Sequence, residues 1–504
     1  MAIVPESSND PRDEVSDITI SGCHFLANRR SGVSNQRQAQ RVSILHNRFV
    51  GTNDQDIDFE PTGDLRDSGP SGYLILGNTM VRTGGDVSVT LSGTTPESQS
   101  RVNTFAYNQI RGGRLGVHDA QDLTIVGNYI EAGRKLSGAV VLLSGAIERV
   151  LFADNSVVRP RTAPAGTLLN VTSESTDYAF PAGDPEVATG IDVATDTLLH
   201  EGHRLQMGAG PLRASVGDGG ALPGGLQVDR DYWAIRVDKH NFRLATTPEN
   251  AVNLQAVNLL SSGSPTFHLI RHGFPRTVNI SRNRFSTFRR LPVGEALLTF
   301  TNASTLSFRD NDVASYAGVR LPIAVEFEVK AGVRKRPVSG WQVVGNRFRG
   351  NANLPPDFDL PGIGTFTTGI SMSAGEEAVS EVRVVDNTLA GCARQVRLQA
   401  DGGDFLRAAF VTGNIGDGIP LVLVGVEAVV VGGNLFSVPG PSVGAAPAGA
   451  RYCGPGKPTF VAPVAACTRV LAWDPNSACG STSMAPISGN ISPSPPKRAL
   501  PTHG

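Results

Sequence analysis

ILHNRF, residues 44–49, decides how this chain is read. An apolar residue opens the block, an asparagine stands fourth and a second apolar residue closes it. The same spelling returns as ILGNTM (75–80), FAYNQI (105–110), IVGNYI (125–130) and FADNSV (152–157). After a gap it continues as ISRNRF (280–285), FRDNDV (308–313), VVGNRF (343–348), VVDNTL (384–389) and VGGNLF (431–436). ISGCHF (20–25) is a weaker first copy with Cys23 at the asparagine position. The early asparagines are separated by 31 residues (47 to 78), 30 (78 to 108), 20 (108 to 128) and 27 (128 to 155). Such a period is the length of one coil of a solenoid.

Alternating apolar residues around each asparagine predict a strand, with the asparagine at a bend where it adopts φ > 0 and satisfies turn amides. Stacked coils would line these side chains into a ladder, and only stacking buries the apolar face of each coil. A second short strand follows each block: SGVSNQR (31–37), QDIDFEP (55–61), GDVSVTL (85–91), GRLGVHD (113–119) and GAVVLLS (138–144), and later EALLTFT (295–301), TGISMSA (368–374) and RQVRLQA (394–400). No helical periodicity runs through the chain. The fold class is therefore all-β, a right-handed parallel β-helix of about ten or eleven coils with two or three strands per coil.

Composition agrees. Gly at 57 and Pro at 33 are high, charged residues at 18% are low, and Met numbers 5. Lys+Arg at 45 balance Asp+Glu at 46, so no general attraction to nucleic acid or an acidic membrane surface follows. The five cysteines (Cys23, Cys392, Cys453, Cys467, Cys479) form no CxxC and no finger spacing; one disulfide among the last three is compatible with the sequence, and so are free thiols. HEGHR (200–204) lacks the helical arrangement of a zincin. No run approaches the ~20 apolar residues of a membrane helix, and the N-terminal stretch has no signal-peptide pattern.

With its Asn-containing turns, the chain resembles the pectate-lyase-like superfamily over roughly 16–160 and 275–438. The resemblance implies the β-helix fold and a polysaccharide partner; the superfamily includes lyases, hydrolases, epimerases and phage tailspikes, so it leaves the activity open. By the same analogy an extracellular, cell-surface or phage-associated location is expected. The division expected is 1–182 for the N-terminal coils, 183–273 for an inserted antiparallel β module, 274–438 for the C-terminal coils and 439–504 for a Pro/Gly-rich cap and disordered tail. Within the insertion, DYWAIRVD (231–238) and FRLATTPENA (242–251) are similar to a small β module of phage-tail and adhesive bacterial proteins.

The chemistry is sought in TNDQDIDFEPTG (52–63), where Asp54, Asp56, Asp58 and Glu60 crowd together. If Val33, Ile57, Val87, Leu115 and Val140 point inward, period-two alternation lines up three outer columns. They read Gly32, Asp56, Asp86, Arg114, Ala139; then Ser34, Asp58, Ser88, Gly116, Val141; then Gln36, Glu60, Thr90, His118, Leu143. Coils ~4.8 Å apart would bring Asp86 beside Asp56 and Arg114 beside Asp86. The expected catalytic set is Asp58, Glu60, His118 and Arg114, with Asp56, Asp86, Gln36 and Arg37 binding substrate. Two carboxylates suit the acid and base of a glycosidase. In a lyase, Arg114 or a Ca²⁺ ion would neutralise a uronate carboxylate while His118 or Arg114 takes the α-proton. Each of these residues taken singly also fits an ordinary solvated sheet face; Asp86 and Asp119 fit turn caps.

The reading is thus a polysaccharide lyase or glycoside hydrolase; the alternative is a non-catalytic tailspike-like or adhesin-type binding protein, for which a homotrimer is expected. The first coil begins near Met1 with no covering helix, so missing coils or a covering domain are expected, with a longer reading frame favoured. IPLVLVGVEAVVVGGNLF (419–436) is apolar on both alternations and asks for a cap from 438–482 or from a second chain.

Overall fold

The computed structural model describes residues 16–35, 39–59, 71–82, 86–93, 100–180, 189–200, 203, 205, 207–216, 220–228, 230–238, 240–263, 267–289, 291, 295–316, 321–329, 338–350, 366–374, 379–392, 394–400, 406–416, 419–424, 428–432, 434–436, 459–460 and 469–470. The second coil shows how the repeat folds. Ser43–Leu45, Arg48–Val50 and Ile57–Phe59 are three strands, each three residues long. ILHNRF therefore makes two strands rather than one. Ile44 sits at the centre of the first and Phe49 at the centre of the second, both fully buried, with Asn47 in the corner between them.

Corresponding strands of successive coils pair in parallel. They build three sheets of 14, 12 and 12 strands, a parallel β-helix. Twelve coils run through the described residues, one of them carried by a block the spelling hides. VTGNIG (411–416) ends in glycine where the other copies are apolar, yet Asn414 occupies the same corner. Beyond 438, Thr459–Phe460 and Arg469–Val470 continue the third and first sheets.

The corner asparagines form an amide ladder. The main-chain N–H of Asn47 donates to Oδ1 of Asn78 at 2.9 Å, and the Asn47 side-chain amide donates to the same oxygen and to the carbonyl of Ile20. Asn78, Asn108, Asn128, Asn155, Asn283, Asn311, Asn346, Asn387 and Asn414 repeat this pattern down to Asn434. At the head, the Cys23 N–H donates to Asn47 Oδ1. The left-handed residue expected at the asparagine is instead the one before it. His46, Gly77, Tyr107, Gly127, Asp154 and Arg282 all have φ between 53° and 68°. That turn leaves the asparagine itself out of the left-handed region, with its amide bonded to the coils on either side. At Gly127 a Cβ would lie 2.6 Å from the Tyr107 ring, so glycine lets that ring lie over the turn.

The core is one continuous column of Ile, Val, Leu and Phe inside the three sheets. The insertion leaves it intact. Leu169–Thr172 ends the sixth coil, and Glu174–Phe180 opens a seven-stranded antiparallel sheet that closes with Phe267–Gly273 before Arg276–Ser281 resumes the solenoid. The entering and leaving strands pair with each other from Glu174↔Gly273 to Phe180↔Phe267. Although 128 residues separate Asn155 from Asn283, their ladder step is 2.9 Å, within the 2.8–3.1 Å of the others. The module has its own core around Leu198, Leu212, Tyr232, Phe242 and Leu269.

Asn128 is buried and both its carbonyl and its amide are occupied by the coils on either side. Asn128→Ala strands several of these partners, and a loss of about 2–4 kcal/mol is expected from the cost of unsatisfied buried groups. Urea titration followed by circular dichroism measures it; a loss under ~0.5 kcal/mol would contradict a structural ladder.

Candidate functional site

The third sheet, which carries most of the residues singled out above, has a register that differs from the one expected. Ile57 pairs with Val89, and Leu115 with Val89 and Val141. Spacing alone gives those places to Val87 and Val140. The turn into the third-sheet strand of the third coil is two residues longer than spacing implies, and the Ser88 carbonyl there receives the N–H groups of both Asp56 and Ile57. The outer columns become Ser34, Asp58, Thr90, Gly116, Leu142 and, beside it, Ser92, His118, Ser144.

Asp56 and Asp58 are not on an open wall, as expected, but buried at 0% and 2% exposure. Asp58 sits between Ser34 and Thr90, and Ser31 Oγ donates to its Oδ2 at 3.5 Å. Asp56 lies inside the corner between the second and third sheets. Burial raises its pKa, opposed by the hydroxyls of Thr52 and Ser88 and by the charge of Arg82. A carboxylate this deep does not meet a polymer in solvent. Gln36, Arg37 and Glu60 lie outside the described residues.

Arg82 answers the crowding of Asp54, Asp56 and Asp86. It is 8% exposed, its Nη2 donates to the Asn53 carbonyl at 3.3 Å, and all three carboxylates stabilise its charge against the cost of burial. Sequence reasoning passed it over because it falls in the loop after the ILGNTM block, outside any column. Farther along the corner, Arg114 is half-buried, with Nε donating to the Ala139 carbonyl at 2.9 Å and Asp86 supporting its charge. Arg159 is fully buried and gives hydrogen bonds to the carbonyls of Leu136, Gly138, Pro164 and Thr167. Burial and the neighbouring Arg114 push its pKa down to about 10, against the pull of Glu295. The corner is thus a row of internal cations held by carbonyls and acids. Among the described residues no three His, Cys, Asp or Glu side chains converge to hold a metal.

His118 stands apart from this corner and meets different partners. Its Nδ1 shares a hydrogen bond of 2.5 Å with Ser144 Oγ and lies 3.4 Å from Oε1 of Glu174, the residue that opens the inserted sheet. The neighbouring Asp119 has φ +46° and accepts the Ala146 N–H at 2.7 Å. Burial pushes the Asp119 carboxyl up to about 6, with the charge of Glu174 adding to the rise and Arg271 and His118 opposing it. Glu174 moves the other way, its carboxylate held down by the hydrogen bond from His118. Two interacting carboxyl groups at the seam of solenoid and module are thereby driven apart in acidity. Ser144, His118 and Glu174 do not make a nucleophilic triad. Serine and acid share one ring nitrogen, and Ser144 is fully buried.

Asp119 is weighed in the sequence only as a turn cap, and it does cap Ala146. Glu174 and Arg271 carry no sequence signal, since they reach the site only when the two ends of the insertion pair. No protein-family model matches the chain, and no curated protein matches it significantly.

Two outcomes are expected. Arg82→Met removes the charge that offsets Asp56 and the bond to the Asn53 carbonyl and costs about 1–3 kcal/mol by urea titration, part of which Asp56→Asn in the same chain restores. Asp119 releases its proton near 3.8 when unfolded and near 6 when folded. Its burial therefore disfavours the fold increasingly as pH rises from 4 to 6, and fully above. Asp119→Asn is expected to raise stability at pH 7.5 by up to about 3 kcal/mol and to leave it unchanged at pH 3.5, a difference calorimetry resolves.

Proposed function

We propose that this chain is a carbohydrate-active β-helix protein, a glycoside hydrolase or polysaccharide lyase, that works on a polymer lying along the outer face of the third sheet. The observation that carries the reading is the divergent pair Asp119 and Glu174 beside His118 at a solvent-reached seam. A carboxyl group protonated near pH 6 next to an ionised one fits the general acid and the water-activating base of glycosidic hydrolysis. In the lyase form, His118 takes the α-proton of a uronate whose carboxylate faces a cation such as Arg114. The resemblance to the pectate-lyase-like superfamily supports the same substrate class. The likeness extends only to the Asn-turn solenoid, so it does not choose between the two reactions.

The second reading is a binding protein of tailspike or adhesin type, working as a trimer. An open pocket on the inserted module favours it.

A panel of anionic and neutral polysaccharides is incubated with the protein, and new reducing ends and the absorbance of unsaturated uronates are followed. Cleavage in one channel is expected, reduced by about 10²–10⁴-fold in Asp119→Asn and Glu174→Gln with the fold retained. Cleavage in neither channel, together with a trimer in sedimentation, would leave the binding reading.

A further inference from the structure

We infer that the inserted module carries a saccharide-binding pocket of its own, separate from the seam on the solenoid. It rests on the reading that the protein engages polysaccharide, and it assigns the module a part in that engagement.

The pocket has a volume of about 530 Å³ and opens on the side of the antiparallel sheet away from the module core. Strand register sets its floor. Asp192 pairs with Thr197, and Arg243 Nε donates to Thr197 Oγ1 at 3.4 Å, so a carboxylate, a hydroxyl and a guanidinium lie in one row across three strands. Gly190 pairs with Leu199 and Leu199 with Asn241, a second row that places an apolar side chain beside an amide. Val237, half-exposed, lines the same pocket. Leu198, Phe242 and Leu244, the residues between, point the other way into the core.

Asp192 is held in shape by its own turn. Its Oδ1 accepts the Ala194 N–H at 3.0 Å and its Oδ2 the Thr195 hydroxyl at 2.7 Å, bonds that keep its carboxylate ionised. At Gly190 a Cβ would meet nothing within 4 Å, so the floor there is open because the residue has no side chain.

Size and lining identify the class of ligand. A protein partner needs on the order of 800 Å² of surface on each side, whereas an open groove of this volume matches a small molecule or a short stretch of polymer. An apolar patch of Leu199 and Val237 bordered by planar carboxylate, amide and guanidinium groups suits a sugar ring. Its C–H face rests on the aliphatic side chains, and its hydroxyls meet groups that both donate and accept.

The test uses the full chain and two substitutions of different kind. Gly190→Leu fills the pocket without removing a polar group, and Arg243→Met removes the guanidinium without filling it. Binding to polygalacturonate, alginate, hyaluronan, dextran and glucomannan is measured by isothermal titration, with circular dichroism to verify the fold. Both variants are expected to weaken binding of at least one of these polymers by roughly tenfold or more. Unchanged binding in both folded variants, or a wild-type chain that binds none of the five, overturns the inference. Cleavage at saturating polymer judges the solenoid site separately, because it depends on Asp119 and Glu174 and not on the module pocket.

Discussion

The side-chain amide of asparagine, placed once per coil, is the constraint on which the solenoid depends. A primary amide offers two donors and a carbonyl with two lone pairs, enough to satisfy its own coil and the next. Here each Oδ1 accepts both the main-chain and side-chain N–H of the preceding asparagine, as Asn108 and Asn128 show. This works only when coils stack in register at the spacing of a parallel sheet, about 4.8 Å. The corner between the first and second sheets therefore tolerates no added residue. Variation goes to the other corners, so the distance from one ladder asparagine to the next ranges from 20 residues (108 to 128) to 41 (346 to 387) without breaking a rung. The inserted module is the extreme case, entering after the third sheet, where no ladder runs.

Charge is partitioned by the same geometry. The corner between the second and third sheets is lined by Asp56, Arg82, Ser88 and Arg159, all buried. Buried ions persist only when paired or bonded to backbone carbonyls, and each arginine here meets that condition. Asp54, Asp56 and Asp86 are thus balanced by the internal cation Arg82. One group of titratable side chains on the third sheet lies where the module joins it. There half-burial shifts Asp119 upward while contact with His118 holds Glu174 down.

Much of the fold was legible because each coil writes its corner in six letters. The places where spelling fails are instructive. Gly416 hides the coil of Asn414, because that coil lacks the closing apolar residue. The two-residue shift of Val89 against Val87 arises in a turn whose length no periodicity reports. Counting alternate residues from the wrong start then assigned Ser88 to an outer column, although it is fully buried in the corner.

Sequence alone determined the all-β solenoid, its asparagine corners and the existence of an insertion, since these rest on local patterns that every coil repeats. Only the tertiary structure decided which acids are buried, which cation answers them and which groups share the seam. Arg82 lies in a loop between strands, and Glu174 and Arg271 are 97 residues apart (174 to 271). Such neighbours are made by coil stacking and by the pairing of the module's first and last strands. A side chain's burial and its electrostatic partners are properties of that packing, and no short stretch of chain contains them.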